Sequence, residues 1–176
     1  MLNFKSLSMM DLRSGPGEVL DRVARQGEAF IIERNGQQMA CLVPLSVFMP
    51  DIQPARLARE LEVLSDHKEK HSLSVNDEHE MELHFKGEGT SAEVTVTILL
   101  PHGYPNACPK IFAEGLPDEV PHRWQDGSLC VYGAMDVWNP GKHDVLHTLY
   151  LARRWLSNFA KWQRDGVWGG EPDVAE

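Results

Sequence analysis

Two short stretches of this chain alternate apolar and polar residues with a period of two, and that pattern restricts its folding more than any other feature. Met81, Leu83 and Phe85 alternate with Glu82 and His84; Val94, Val96 and Ile98 alternate with Thr95 and Thr97. A period of two puts the apolar side chains of a strand on one face, so both stretches are half-buried antiparallel strands. Residues 87–90 (GEGT) supply the turn between them, and PKIFAEG adds a further strand. Upstream, Leu57, Leu61 and Leu64 recur at spacings of four and three, one face of a helix. Downstream, Leu149, Ala152, Leu156 and Phe159 give a core face to a C-terminal helix over VLHTLYLARRWLSNFAKWQRDG. A helix, a three- or four-stranded meander, an irregular segment over residues 117–144 and a final helix make an α+β domain.

The first fifty residues read as a separate unit, with the second domain running over residues 51–176. In SGPGEVLDRVARQG, Ser14 stands where it would cap a helix, Pro16 in its first turn and Gly27 where it would stop. Val19, Leu20, Val23 and Ala24 form its apolar stripe. Two β-rich runs follow in AFIIERNGQQMACLVPL, joined through Asn35-Gly36, a dipeptide suited to a tight hairpin turn. So small a unit buries little apolar surface and needs a partner, either the rest of the chain or a second copy. Residues 6–48 resemble the N-terminal domain of the Phd/YefM antitoxins in the order helix, glycine, strand, Asn-Gly, strand ending in Val-Pro-Leu. That resemblance implies a homodimer through residues 1–50 and operator-DNA binding, although no toxin-wrapping tail follows.

Charge bears on the DNA expectation. The 176 residues hold 17 Lys and Arg against 26 Asp and Glu, a net charge of −9. Residues 1–50 carry five of each sign, so the whole excess falls on residues 51–176. An acidic surface repels phosphate, which makes residues 51–176 a poor nucleic-acid binder, and a net-neutral N-terminal unit has little electrostatic pull on DNA. The acidic surface of residues 51–176 is a solvated face that aids solubility or one that attracts a basic protein partner. No apolar run approaches the roughly 18 residues that cross a bilayer, and the first residues do not read as a secretory signal. Three cysteines without a CxxC pair fit neither a disulfide scaffold nor a zinc knuckle, so a reduced cytosol is the expected setting.

A long irregular segment inside a small domain is more often functional than decorative. This one contains HRWQDGSLCVYGAMDVWNP, with Cys130 just after the Asp126-Gly127 turn and therefore expected at a loop edge. A lone cysteine is usually a small buried hydrophobe. Its surroundings change that reading, because residues 52–168 resemble the ubiquitin-conjugating enzymes. The matching features are Arg56-Leu57-Ala58-Arg59-Glu60-Leu61 on the first helix, Tyr104-Pro105 with Pro109, a histidine ahead of Gly127-x-x-Cys130, and Trp138-x-Pro140 beginning eight residues after the cysteine. The tail pattern Trp155-Leu156, Phe159, Trp162, Gly166 and Trp168 resembles the bacterial conjugating-enzyme-like group.

The resemblance implies that Cys130 accepts a ubiquitin-like protein as a thioester from an activating enzyme and passes it to an amine on a protein target. Such genes often sit in anti-phage operons. The thiolate is the nucleophile, and discharge needs oxyanion stabilisation, removal of the amine proton and a fixed donor tail. Eukaryotic relatives have His-Pro-Asn; here the triplet is His122-Arg123-Trp124, without the asparagine and about two residues closer to the cysteine. His122 reads as a loop-shaping or purely structural residue. Asp136 and Asn139 would orient the amine or polarise the carbonyl, or are turn residues. Tyr132 shares a side with Cys130 if the segment is extended. Cys41 and Cys108 are expected to fill cores, and Trp155, Trp162 and Trp168 to pack in core and tail. His102, Cys108, His122 and Cys130 have no recognised ligand spacing, so neither a metal nor a cofactor is expected, and the lack of a Gly-rich nucleotide loop puts ATP use on another protein. Two other readings stand beside this one: a non-catalytic partner-docking domain of the same fold, and a DNA-bound regulator working through residues 1–50.

Overall fold

The computed structural model describes residues 3–47, 52, 54–87, 94–117, 119–132 and 137–169, which fall into two compact units, Met1–Glu62 and Val63–Glu176. The first opens with β1 (Phe4–Ser8), α1 (Met9–Ser14), α2 (Pro16–Gln26), β2 (Ala29–Arg34), β3 (Gln37–Leu42) and a single 3-10 turn at Leu45–Val47. Its sheet has the order β1-β2-β3, with β1 parallel to β2 and β3 antiparallel. The helix expected after Ser14 does begin at Pro16, but Ser14 does not cap it. Ser8 caps α1: its Oγ accepts from the Asp11 N–H (3.1 Å) and donates to Asp11 Oδ2 (2.6 Å). This Ser-x-x-Asp box nucleates a short helix one turn early. Ser14 closes that helix, its Oγ donating to the Asp11 carbonyl (2.9 Å), and α2 begins at Pro16 behind an uncapped Gly15. Gly27 ends α2 in the left-handed region (φ 71°), as a C-terminal glycine does.

The core of this unit is Leu7, Val19, Val23 and Phe30, with Leu12 and Leu42 packed against it. Leu20 and Ala24 are exposed, so the stripe is half as wide as expected: each lies about 100° around the helix from its buried neighbour. Asn35 and Gly36 both take positive φ (52° and 75°), the geometry a two-residue hairpin needs. Register explains a second correction. Phe30 pairs with Leu42 on the face the helices cover, whereas Ile31 pairs with Cys41 on the other. Cys41 is therefore exposed and fills no core.

Helix α3 (Pro54–Asp66) buries Leu57 and Leu64, and Arg56 reaches Glu60, which is 1% exposed, one turn on. The second unit continues with β4 (His71–Val75), β5 (Met81–Lys86), β6 (Thr95–Leu100) and β7 (Lys110–Glu114), a four-stranded antiparallel sheet in sequence order. Its register aligns the apolar sets: Leu83 sits opposite Ile98 and Ile98 opposite Ile111, while Phe85, Val96 and Ala113 form the next row. These side chains are all buried, the core predicted by the period-two pattern. Most of the turn expected at 87–90 lies outside the described residues; Gly87 N–H donates to the Val94 carbonyl (2.7 Å). Helix α4 (Val145–Asp165) is capped by Asp144, ends at Gly166 (φ 70°) and lies against β6. It buries Leu149, Ala152, Trp155, Leu156 and Phe159.

A bidentate pair ties the chain just after α3 to α4: Arg153 donates to both carboxylate oxygens of Glu69 (2.7 and 2.8 Å). Those bonds hold the Glu69 carboxyl below its ordinary value of 4.5. A carboxyl lowered by folding stabilises the fold above its unfolded pKa and loses that contribution as pH falls through the folded value. Glu69→Gln is expected to lower stability near neutral pH by about 1–2 kcal/mol. In urea unfolding series, the gap between variant and wild type should narrow as pH falls below 4.5.

Candidate active site

Cys130 stands at the end of a small hairpin whose geometry follows from three residues before it. In Asp126-Gly127-Ser128, Asp126 Oδ1 accepts from the Ser128 N–H (3.0 Å) and Oγ (2.6 Å), an Asx turn. Gly127 takes φ 85°, and its N–H donates to the Trp124 carbonyl (2.9 Å). Trp124 N–H then donates to the Ser128 carbonyl (2.8 Å), and Arg123 bridges Leu129. A turn closed by a left-handed glycine is the three-residue hairpin loop. Lys110, at the start of β7, donates to Asp126 Oδ2 (2.8 Å) and so clamps the loop to the sheet. The Lys110 bond, with those from Ser128, holds the Asp126 carboxyl well below the usual carboxylate range.

Beyond the turn, Leu129 N–H donates to the Ile111 carbonyl (2.7 Å), and Cys130 N–H to the His122 carbonyl (2.9 Å). Val131 N–H donates back to the Leu129 carbonyl (3.0 Å), a three-residue turn with Cys130 at its apex. The segment from Cys130 to Tyr132 is therefore bent, not extended as expected. Cys130 is half-buried.

The structure brings His122 and Cys130 together through the backbone. His122 takes φ 59°, and its carbonyl accepts from both Cys130 and the Trp155 indole (Nε1, 3.0 Å). Its ring lies against Trp168 at 4.6 Å. Tyr132 reaches Thr148 Oγ1 (2.7 Å). Thr148 is fully buried, and its Oγ1 also lies 3.1 Å from the Asp144 carbonyl. Asn139 forms a turn: its Oδ1 accepts from Gly141 N–H (3.0 Å), and its carbonyl accepts from Lys142 and His143. Asp136 lies outside the described residues. Trp138 donates to the Pro105 carbonyl (2.7 Å) and packs beside Tyr104, joining the Trp-x-Pro and Tyr-Pro segments.

The other thiols differ in kind. Burial pushes Cys108 up to about 11, so little of it is thiolate near neutral pH. Lys110, Ser128 and Thr148 went unnoticed in the sequence. The Asp-Gly-Ser turn signature pointed at Ser128, whereas nothing local could pair Lys110 with a residue sixteen positions on.

A family model described as type II CBASS E2 protein matches residues 51–174. The chain belongs to this family. It is thereby one of the bacterial E2-like conjugating proteins of CBASS anti-phage defence, a group that works with a CBASS activating enzyme and a ubiquitin-like protein. The match begins at residue 51, so it does not bear on residues 1–50. No curated protein and no solved structure matches the chain significantly. Among the described residues no helix is long and apolar enough to cross a membrane.

Gly127 meets no atom within 4 Å of an added Cβ, so replacing it tests backbone conformation alone. Gly127→Ala is expected to cost about 1–2 kcal/mol from the left-handed penalty, read as a lower urea midpoint at unchanged slope.

Proposed function

We propose that this protein carries a ubiquitin-like protein as a thioester on Cys130 and transfers it to an amine on a target. The Cys130 thiolate attacks the carbonyl of the activating enzyme's thioester; a new S–C bond forms, and the activating enzyme's sulfur departs as thiolate. The target amine then attacks the Cys130 thioester, a C–N bond forms, Cys130 leaves as thiolate, and the amine gives up its proton to base. The observation that carries this reading is the apex position of Cys130 on a doubly anchored hairpin within the family match. Cys41 falls outside that match, and the Cys108 thiol is raised to about 11.

In this reading His122 shapes the loop through its carbonyl and Tyr132 anchors the chain after the cysteine. Asp136 and Asn139 orient the amine or polarise the carbonyl, Asn139 through its Nδ2 donors, since Oδ1 is held by Gly141. For residues 1–50 the small core, with Phe4, Met39 and Cys41 exposed, supports pairing with a second copy, as the Phd/YefM resemblance implies.

Incubation with the activating enzyme, the ubiquitin-like protein and ATP is expected to give a covalent adduct that thiol reductant removes. Cys130→Ser should give a reductant-resistant ester, and Cys130→Ala no adduct. An adduct that survives Cys130→Ala but disappears in Cys108→Ala would move the chemistry to the other sulfur. No adduct on the wild-type protein, with the activating enzyme itself charged, would favour the partner-docking reading.

A further inference from the structure

We infer that Trp155 is a positioning residue for Cys130, acting through the His122 carbonyl; this rests on the reading of Cys130 as the carrier thiol. Among the described residues, two anchors outside the hairpin hold the backbone around Cys130. One is Leu129 N–H on the Ile111 carbonyl of β7 (2.7 Å). The other is the His122 carbonyl, which receives Cys130 N–H at 2.9 Å and the Trp155 indole N–H at 3.0 Å. A carbonyl oxygen has two acceptor sites, and here one takes the cysteine's own backbone and the other takes helix α4.

The donor is well placed to act as a fixed point. Trp155 is 4% exposed, in the middle of a 21-residue helix capped at both ends. Its ring stacks on Phe159 (5.7 Å, 15°) and meets the edge of Trp168 (5.1 Å, 64°). Trp168 in turn lies against the His122 ring. His122 is thus held by its carbonyl and its ring, both from the C-terminal end of the chain. It needs holding, because its left-handed φ of 59° persists only where surroundings enforce it. Without the indole N–H the His122 peptide loses its link to helix α4, and the Cys130 amide is left with a less firmly fixed acceptor. A nucleophile misplaced by a fraction of an ångström loses rate without losing binding.

The test is Trp155→Phe, which keeps an aromatic ring against Phe159 and Trp168 but has no donor. Two readouts separate positioning from general destabilisation. In native-state hydrogen exchange, the Cys130 amide should exchange on the order of tenfold faster while the amides of Ile98 and Leu149 stay unchanged. In the charging assay, kcat should fall by on the order of tenfold with KM for the charged activating enzyme unchanged. Exchange at Cys130 that rises only in step with Ile98, or a kcat equal to wild type, would overturn the inference. Should the phenylalanine variant not fold, a site-specific benzothiophene analogue of tryptophan at 155 removes only the N–H, and the same readouts apply. The exchange experiment needs no partner protein, so it keeps its meaning if the wild-type protein forms no thioester. Conversely, a normal thioester in both proteins with unchanged exchange removes the role of Trp155 and leaves the carrier reading intact.

Discussion

One carbonyl oxygen, that of His122, joins the loop bearing Cys130 to the helix that closes the second unit. It takes the cysteine's backbone N–H and the Trp155 indole together, while the Leu129 N–H on Ile111 fixes the same stretch from the sheet side. A cysteine loop held only by its turn would sample many orientations. Here that ordering is built into folding, because β7 and α4 are core elements whose positions are set by buried apolar rows. The register of β5, β6 and β7 therefore fixes this loop: a one-residue slip would turn Ile111 outward and carry its carbonyl away from Leu129.

Electrostatics supports the same loop from its tip. The Asp126 carboxylate collects Lys110 and both Ser128 donors, so the turn is an anion clamped by a cation on the sheet. Lys110 and Asp126 are both well exposed, which makes this pair a device for geometry and not a large store of stability. The cysteines show how environment sorts identical thiols. Cys108 is pushed up by burial, Cys41 lies on an uncovered sheet face, and Cys130 sits on a bend.

Much of the second unit could be read from residue order. The alternation over Met81–Phe85 and Val94–Ile98 marked two strands and their core faces, and the 3-4 spacing over Leu149–Phe159 marked the buried stripe of α4, because periodicity is a direct image of which side chains share a face. The first unit was read less well. The Ser8-x-x-Asp11 box lies outside the Ser14, Pro16 and Gly27 pattern that marked the helix, so the short helix before it went unread. The strand Phe4–Ser8 carries only one buried side chain, Leu7, so no alternation announced it. Nor could Met39-Ala40-Cys41-Leu42, apolar throughout, reveal which of its residues faced the helices.

The amino-acid order alone sufficed for the two alternating strands Met81–Phe85 and Val94–Ile98, the buried stripe of α4, the Asp-Gly turn and the candidate thiol, since each depends on neighbours within a few residues. Tertiary structure decided what no local pattern encodes: that Trp155 reaches back 33 positions to His122, that Lys110 finds Asp126, and that the Tyr132 hydroxyl meets a buried Thr148. Those contacts join segments far apart in the chain, and they exist only once the buried rows of sheet and helix have fixed where each segment lies.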